Sequence, residues 1–314
     1  MNPAPPTWSD PNAAPPASPR TNTILAVAAV ALTAVVLATL VGVVLAERDT
    51  IFDEHGPGRP AATLIAANSP GTEPFMAASA VPTVLVSPAA VQAIQTDTNG
   101  LAVSKERGVR LVSGAHPGLY GATENTAPCD APALANFLDA HSGRARAWAE
   151  VEGIRPQQVP SFLNTLTPAV LTVDTWVSAH GYGTDGRPTR TQAVLQAGTA
   201  VMVDPAGVPR VRCAGAHPLT PPADVSFTTL QQSGAPWPGY DAQNVVAVAY
   251  TQGPSSFSDP TPTSPLTTFT LTDLSSGEPV SRGAGGTIDL SASGEAAIAL
   301  PDPITANHAS PVGR

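Results

Sequence analysis

The chain has 314 residues, a net charge of −9 at pH 7 and 42% apolar residues, but only 5% aromatics. That is enough for one large domain or two small ones around a lean core made mostly of Ala and Val. With Lys105 as its sole lysine and an acidic balance, the chain lacks the cationic footprint that a phosphate backbone requires, which excludes nucleic acid as a partner.

Residues 1–20, MNPAPPTWSDPNAAPPASPR, are rich in Pro and Ala and cannot bury a core, so they read as a disordered tail. From Thr21 to Ala46 there is no charge, and about 20 apolar residues suffice to span a bilayer. Val44-Leu45-Ala46 resembles a cleavage site, which keeps a signal peptide open as the rival reading. Signal-peptide cores usually run to only about 7–15 residues and follow more positive charge than Arg20 provides. The sequence therefore predicts a single transmembrane helix over 21–46, with the lipid bilayer as its partner. Arg20 precedes the span while Arg48 and Arg59 follow it, so charge orients it weakly. A short Pro-rich tail suits the cytoplasm and a domain with two cysteines suits the outside. The expected location is the cell membrane, single-pass, with the N-terminus cytoplasmic and the domain extracellular.

Residues 47–75 read as a juxtamembrane linker, 76–297 as the extracytoplasmic domain and 298–314 as a frayed tail. Strand signals appear at PTVLVS (82–87) and, after the Asn99-Gly100 turn, at LAVSKE and GVRLVSG. Residues 130–166 are the most helical part. Asp130 can cap a helix with Pro132 in its first turn, and Leu134, Phe137 and Leu138 share one face. Gly143 interrupts; Ala147, Trp148 and Val151 then continue to Gly153, and Pro156 can open a third short helix.

From Ala169 the period changes. AVLTVDTWVSAHGY alternates apolar and polar residues as one half-buried strand would. TAVMVDPAGVPRVRC reads as a hairpin around Asp204-Pro205-Ala206-Gly207. Further strands are expected at NVVAVAYT and LTTFTLTDL, with the Ser/Pro-rich loop 253–265 between them. A short helical part followed by antiparallel strands gives α+β as the expected fold class.

Gly181-Tyr182-Gly183-Thr184-Asp185-Gly186 matches the dinucleotide fingerprint formally, yet a strand-like run follows it instead of a helix. Asp185-Gly186 is better read as a hairpin turn, and no cofactor is expected. Cys129, Cys213, His116 and His217 offer a Cys₂His₂ set, but without the close ligand pairs of a zinc module. Outside the membrane two such thiols normally oxidise, so a disulfide is expected; a metal site and free thiols remain the alternatives.

A hydrolase needs a nucleophile, a base and an orienting acid. Asp174 and His180 could supply two of these, but on one straight strand they stand about 20 Å apart. Neither G-x-S-x-G nor H-E-x-x-H occurs, so no catalytic residue is assigned. Trp176, His180 and Tyr182, where the strand meets a Gly-rich turn, form the candidate ligand surface.

GLYGATENTAPCD (118–130), ARAWAEVEGI (145–154), LTPAVLTVDTWVSAHGYGTDGRPT (166–189) and VLQAGTAVMVDPAGVPRVRC (194–213) occur in an order that resembles a family of actinobacterial membrane-anchored proteins. That family is known only as a domain of unknown function. The resemblance covers about residues 70–285 and is dense over 118–222. The family pattern often carries a second cysteine two residues after the position of Cys213, where this chain has Gly215. The departure weakens the metal reading and leaves Cys129–Cys213 as the only possible pair. The resemblance implies a single-pass anchor with an extracytoplasmic domain and adds no activity. The expected function is a non-catalytic domain that binds an envelope protein or ligand. The alternatives are a cell-envelope hydrolase using Asp174 or His180, and a scaffold subunit of an envelope complex.

Overall fold

The structure is a computed structural model that describes residues 60–67, 69–77, 84–123, 129–249 and 265–288. The predicted transmembrane span and both predicted tails lie outside these residues. Among the described residues no helix is long and apolar enough to cross a membrane.

Among the described residues thirteen strands form one continuous mixed sheet, with few helices. In chain order they are β1 (Ala61–Ile65), β2 (Arg110–Ser113), β3 (Tyr120–Ala122), β4 (Thr167–Leu171), β5 (Thr175–Tyr182), β6 (Pro188–Leu195) and β7 (Ala200–Val203). Then follow β8 (Pro209–Arg212), β9 (His217–Thr220), β10 (Gln231–Ser233), β11 (Val246–Ala249), β12 (Thr268–Asp273) and β13 (Pro279–Gly283). The helices are α1 (Pro88–Thr98), α2 (Ala131–Ala140), α3 (Ser142–Glu152) and α4 (Val159–Thr165).

This corrects the expected α+β order. Three strands precede the helical stretch, and the sheet mixes antiparallel pairs with parallel ones: β1 with β10 and β6, β11 with β2 and β5, and β12 with β3. Parallel neighbours here are far apart in sequence, and alternation within a strand carries no information about its partner. Ala61–Ile65, which the sequence places in a linker, is an inner strand between β10 and β6.

Local chemistry explains the elements. Ser87 caps α1 by accepting a bond from the Ala90 N–H at 3.1 Å, and Pro88 occupies the first turn. The strand expected at 82–87 is thus not formed over its described residues 84–87, and LAVSKE contributes only an isolated bridge at Val103. Asp130 caps α2 through the Ala133 N–H at 2.8 Å. The helical stretch breaks at His141 (φ −128°, ψ 74°), not at Gly143, which lies inside α3. α3 ends at Gly153, whose φ of 68° is left-handed and suits a residue without Cβ. The expected single strand over 169–182 is two: β4 pairs with β3 and β7, and β5 pairs with β6, β9 and β11.

The sheet folds over on itself around a central core. Val177 and Ala179 of β5 and Ala193 and Leu195 of β6 meet Ala169, Leu171, Val201 and Val203 from the far half of the strand order. Alternate residues face outward into two further cores. Ala200, Met202 and Val211 pack under Leu134, Trp148, Phe162 and Leu163 of the helices. Trp176, Val194 and Ala247 pack under Phe227 and Leu230. Strands buried on both faces are why β7 is apolar along its length and β4 is apolar after Thr167.

Candidate functional site

The residues singled out in the sequence fall in two separate places. Cys129 and Cys213 form a disulfide, with Cα atoms 5.5 Å apart, that joins the start of the helical layer to the end of β8. Both sulfurs are thereby consumed, so the Cys₂His₂ set with His116 and His217 cannot assemble. His217 instead lies between two carbonyl oxygens, with Nδ1 2.9 Å from that of His180 and Nε2 2.8 Å from that of Pro70. Burial and the nearby Arg212 charge push its imidazole down to about 4. A neutral ring carries one N–H, so at neutral pH only one of those contacts is a hydrogen bond.

Trp176, His180 and Tyr182 share the outward face of β5, which other elements cover. Trp176 is fully buried, its ring 5.1 Å from that of Phe227. His180 is half-buried with Nε2 3.0 Å from Thr220 Oγ1; burial, reinforced by Arg190, Arg210 and His217, pushes its imidazole down to about 3. Tyr182 lies beneath the Arg144 guanidinium at 4.4 Å and 5.5 Å from Phe75. The glycine-rich stretch that follows is the β5–β6 hairpin turn, closed by the Gly183 N–H donating to the Arg187 carbonyl at 2.8 Å.

Beneath the helical layer, Arg210 of β8 pairs with Glu152 at the end of α3, and its Nη1 lies 3.6 Å from Asp204 Oδ2. All three side chains are buried. Burial pushes the Glu152 carboxyl up to about 7, against the pull of Arg210. Asp204 also accepts the Ala206 and Val208 N–H groups at 2.9 and 3.0 Å, holding the β7–β8 hairpin turn. This buried cluster joins helix to sheet.

Asp174 lies elsewhere, in a cleft of about 690 Å³ at the open end of the central core. The cleft is bounded by α1, by the turns after β4 and β6, and by the 237–244 segment; Leu171 and Val246 of the core reach its floor. Asp174 Oδ1 accepts the Ala197 N–H at 2.8 Å and Oδ2 accepts the Trp237 indole N–H at 3.1 Å. Burial nevertheless outweighs both donors and raises its carboxyl above the ordinary range. Trp237 stands edge-on to Tyr240 with ring centres 5.1 Å apart. Burial and the Asp174 and Asp241 charges push the Tyr240 hydroxyl up to about 12.

Arg110 also lines the cleft, donating from Nη2 to Asn244 Oδ1 at 2.9 Å and from Nη1 to the Thr98 carbonyl at 3.3 Å. The lining hydroxyls are committed: Thr98 donates to the Ile94 carbonyl at 2.7 Å and Thr172 to the Gly118 carbonyl. His180 does not line this cleft, so Asp174 and His180 cannot act together there. Sequence reasoning found Asp174 but missed Arg110 and Trp237. The stretch APWPGY, with aromatics set among turn formers, was the signal that could have marked Trp237.

Residues 110–285 match the family described as DUF6777, a domain of unknown function, and the chain belongs to that family. No curated protein and no solved structure matches the chain. The floor of the cleft from Arg110 to Leu274 falls within the matched residues, and its α1 wall falls before them.

Proposed function

We propose that this domain is a non-catalytic ligand-binding module of the bacterial cell envelope, carried on a membrane anchor at residues 21–46, whose ligand enters the cleft beside Asp174. The observation that carries the ligand site is the raised, half-buried carboxylate of Asp174, fixed by Trp237 in an open cleft. A carboxyl that burial raises, sitting in a cleft with a few convergent polar groups, is the mark of a candidate ligand site. A non-catalytic role is favoured because both lining hydroxyls are tied to backbone carbonyls and neither is placed against a base. The apolar, uncharged run from Thr21 to Ala46 supports the anchor.

Trp237 provides the readout. Tryptophan emission of the full chain in detergent micelles, screened against small amines, carboxylates, amino acids and sugars, should shift with at least one class, and Trp237→Phe should abolish that shift. Silence across the whole screen would sink the reading. The anchor is tested separately: the chain should resist alkaline extraction from membranes, and deletion of 21–46 should release it.

One observation favours a hydrolase as the second reading: a carboxyl that burial raises above its ordinary range lines an open cleft at Asp174. Turnover of an envelope polymer that Asp174→Asn abolishes would favour that reading over simple binding.

A further inference from the structure

We infer that the cleft takes a small zwitterion of the α-amino-acid class with an apolar side chain, its carboxylate on Arg110 and its ammonium group on Asp174. This rests on the cleft being a ligand site and names what it holds. Both charges line the same cleft, and the sheet register brings their backbones close together. Val246 of β11 pairs with Arg110 on one side and with Thr175 on the other, and its N–H donates to the Asp174 carbonyl at 2.9 Å. Arg110 and the Asp174–Thr175 junction therefore lie on one row across three adjacent strands, about 10 Å apart at Cα.

Neither charge is compensated among the described residues. Arg110 donates only to an amide oxygen and a backbone carbonyl, and its buried Nε has no acceptor. Asp174 accepts only from neutral N–H groups. The third lining charge, Asp241, accepts from the Gln243 N–H and from Asn244 Nδ2, which turns the Asn244 oxygen toward Arg110. A ligand of one sign would neutralise one group and leave the other desolvated and alone, at a real cost. A zwitterion completes both. Its apolar part has a wall to rest on in Val84, Val91, Ile94 and Val173, of which Val91 is 41% exposed.

The test is calorimetric titration of the full chain in detergent micelles with L-leucine, N-acetyl-L-leucine and L-leucinamide. Leucine should bind, and each analogue, lacking one charge, should bind at least about tenfold more weakly. Arg110→Gln should weaken leucine but leave leucinamide unchanged; Asp174→Asn should weaken leucine but leave N-acetyl-leucine unchanged. The analogue comparison needs no variant, so it stands even where a variant misfolds. If an analogue matches leucine, the two-charge assignment is overturned while the cleft remains a ligand site. If none of the three binds although Trp237 reports another ligand, the zwitterion is overturned alone. If none binds and Trp237 is silent to every class, both inferences fall.

Discussion

Arg210 on β8 and Glu152 at the last residue of α3 form an ion pair in which neither side chain is more than 1% exposed. It joins the helical layer to the sheet 58 residues away. Taking two charges out of water is expensive, so the pair's value lies in what its disruption leaves behind. Glu152→Ala should lose about 3–5 kcal/mol in urea unfolding, because it removes the closer of the two buried carboxylates that face Arg210 and leaves Asp204 at 3.6 Å. The double variant Glu152→Leu/Arg210→Met should recover most of that loss. A single variant with wild-type stability would show that the pair does not hold the layer.

Stability should depend on pH through opposing groups. His217 is pushed from 6.5 down to about 4 and His180 down to about 3. Below pH 6.5 the unfolded chain takes up protons that the folded chain refuses, so the stability these groups provide above 6.5 is lost as pH falls toward 4. Glu152 acts the other way. Its folded value of about 7 exceeds the unfolded 4.5, so its contribution is full below 4.5 and is lost as pH rises to 7. Unfolding free energy should therefore climb from pH 4 to 6.5, and Glu152→Gln should steepen the climb. A variant with an unchanged slope would refute the Glu152 assignment.

The disulfide closes a separation of 84 residues. In the chain-entropy account such a loop contributes about 4–5 kcal/mol, with native strain acting against it. Cys129→Ser/Cys213→Ser should lower the melting temperature by roughly 10 °C or more, and reductant should lower that of the wild type but not of the variant. Equal melting with and without reductant would show that the bridge contributes nothing.

Gly114 and Gly207 lie backbone against backbone. A Cβ on Gly114 would come within 2.4 Å of the Ala206 carbonyl oxygen, and one on Gly207 within 2.4 Å of the Gly114 carbonyl oxygen. Neither backbone can yield without moving β2 or the β7–β8 hairpin. Gly114→Ala should cost about 2 kcal/mol or more in urea unfolding, whereas Gly100→Ala, with nothing within 4 Å, should be near neutral. Equal effects at the two positions would rule out the close approach.

What the sequence by itself determined is local. The cap at Asp130, the stop at Gly153, the turns at Asp204–Gly207 and Asp185-Gly186, and the alternation of most strands follow from residues within a few positions of each other. The disulfide was legible because the chain has only two cysteines. The helix at 88–98 was also signalled, by Ser87-Pro88, but its lead-in PTVLVS is equally rich in strand formers.

Only the tertiary structure decided how the sheet is assembled and therefore where the cleft is. Trp176 and Asp174 are two residues apart, yet one is sealed under Phe227 and the other faces open space beside Trp237. Arg110 and Asp174 line one cleft because β11, more than 60 residues beyond β5, inserts between β2 and β5. Strand pairing depends on the shape and burial of surfaces that exist only once distant segments meet, and hydrophobic period within one segment encodes its faces but not its neighbours.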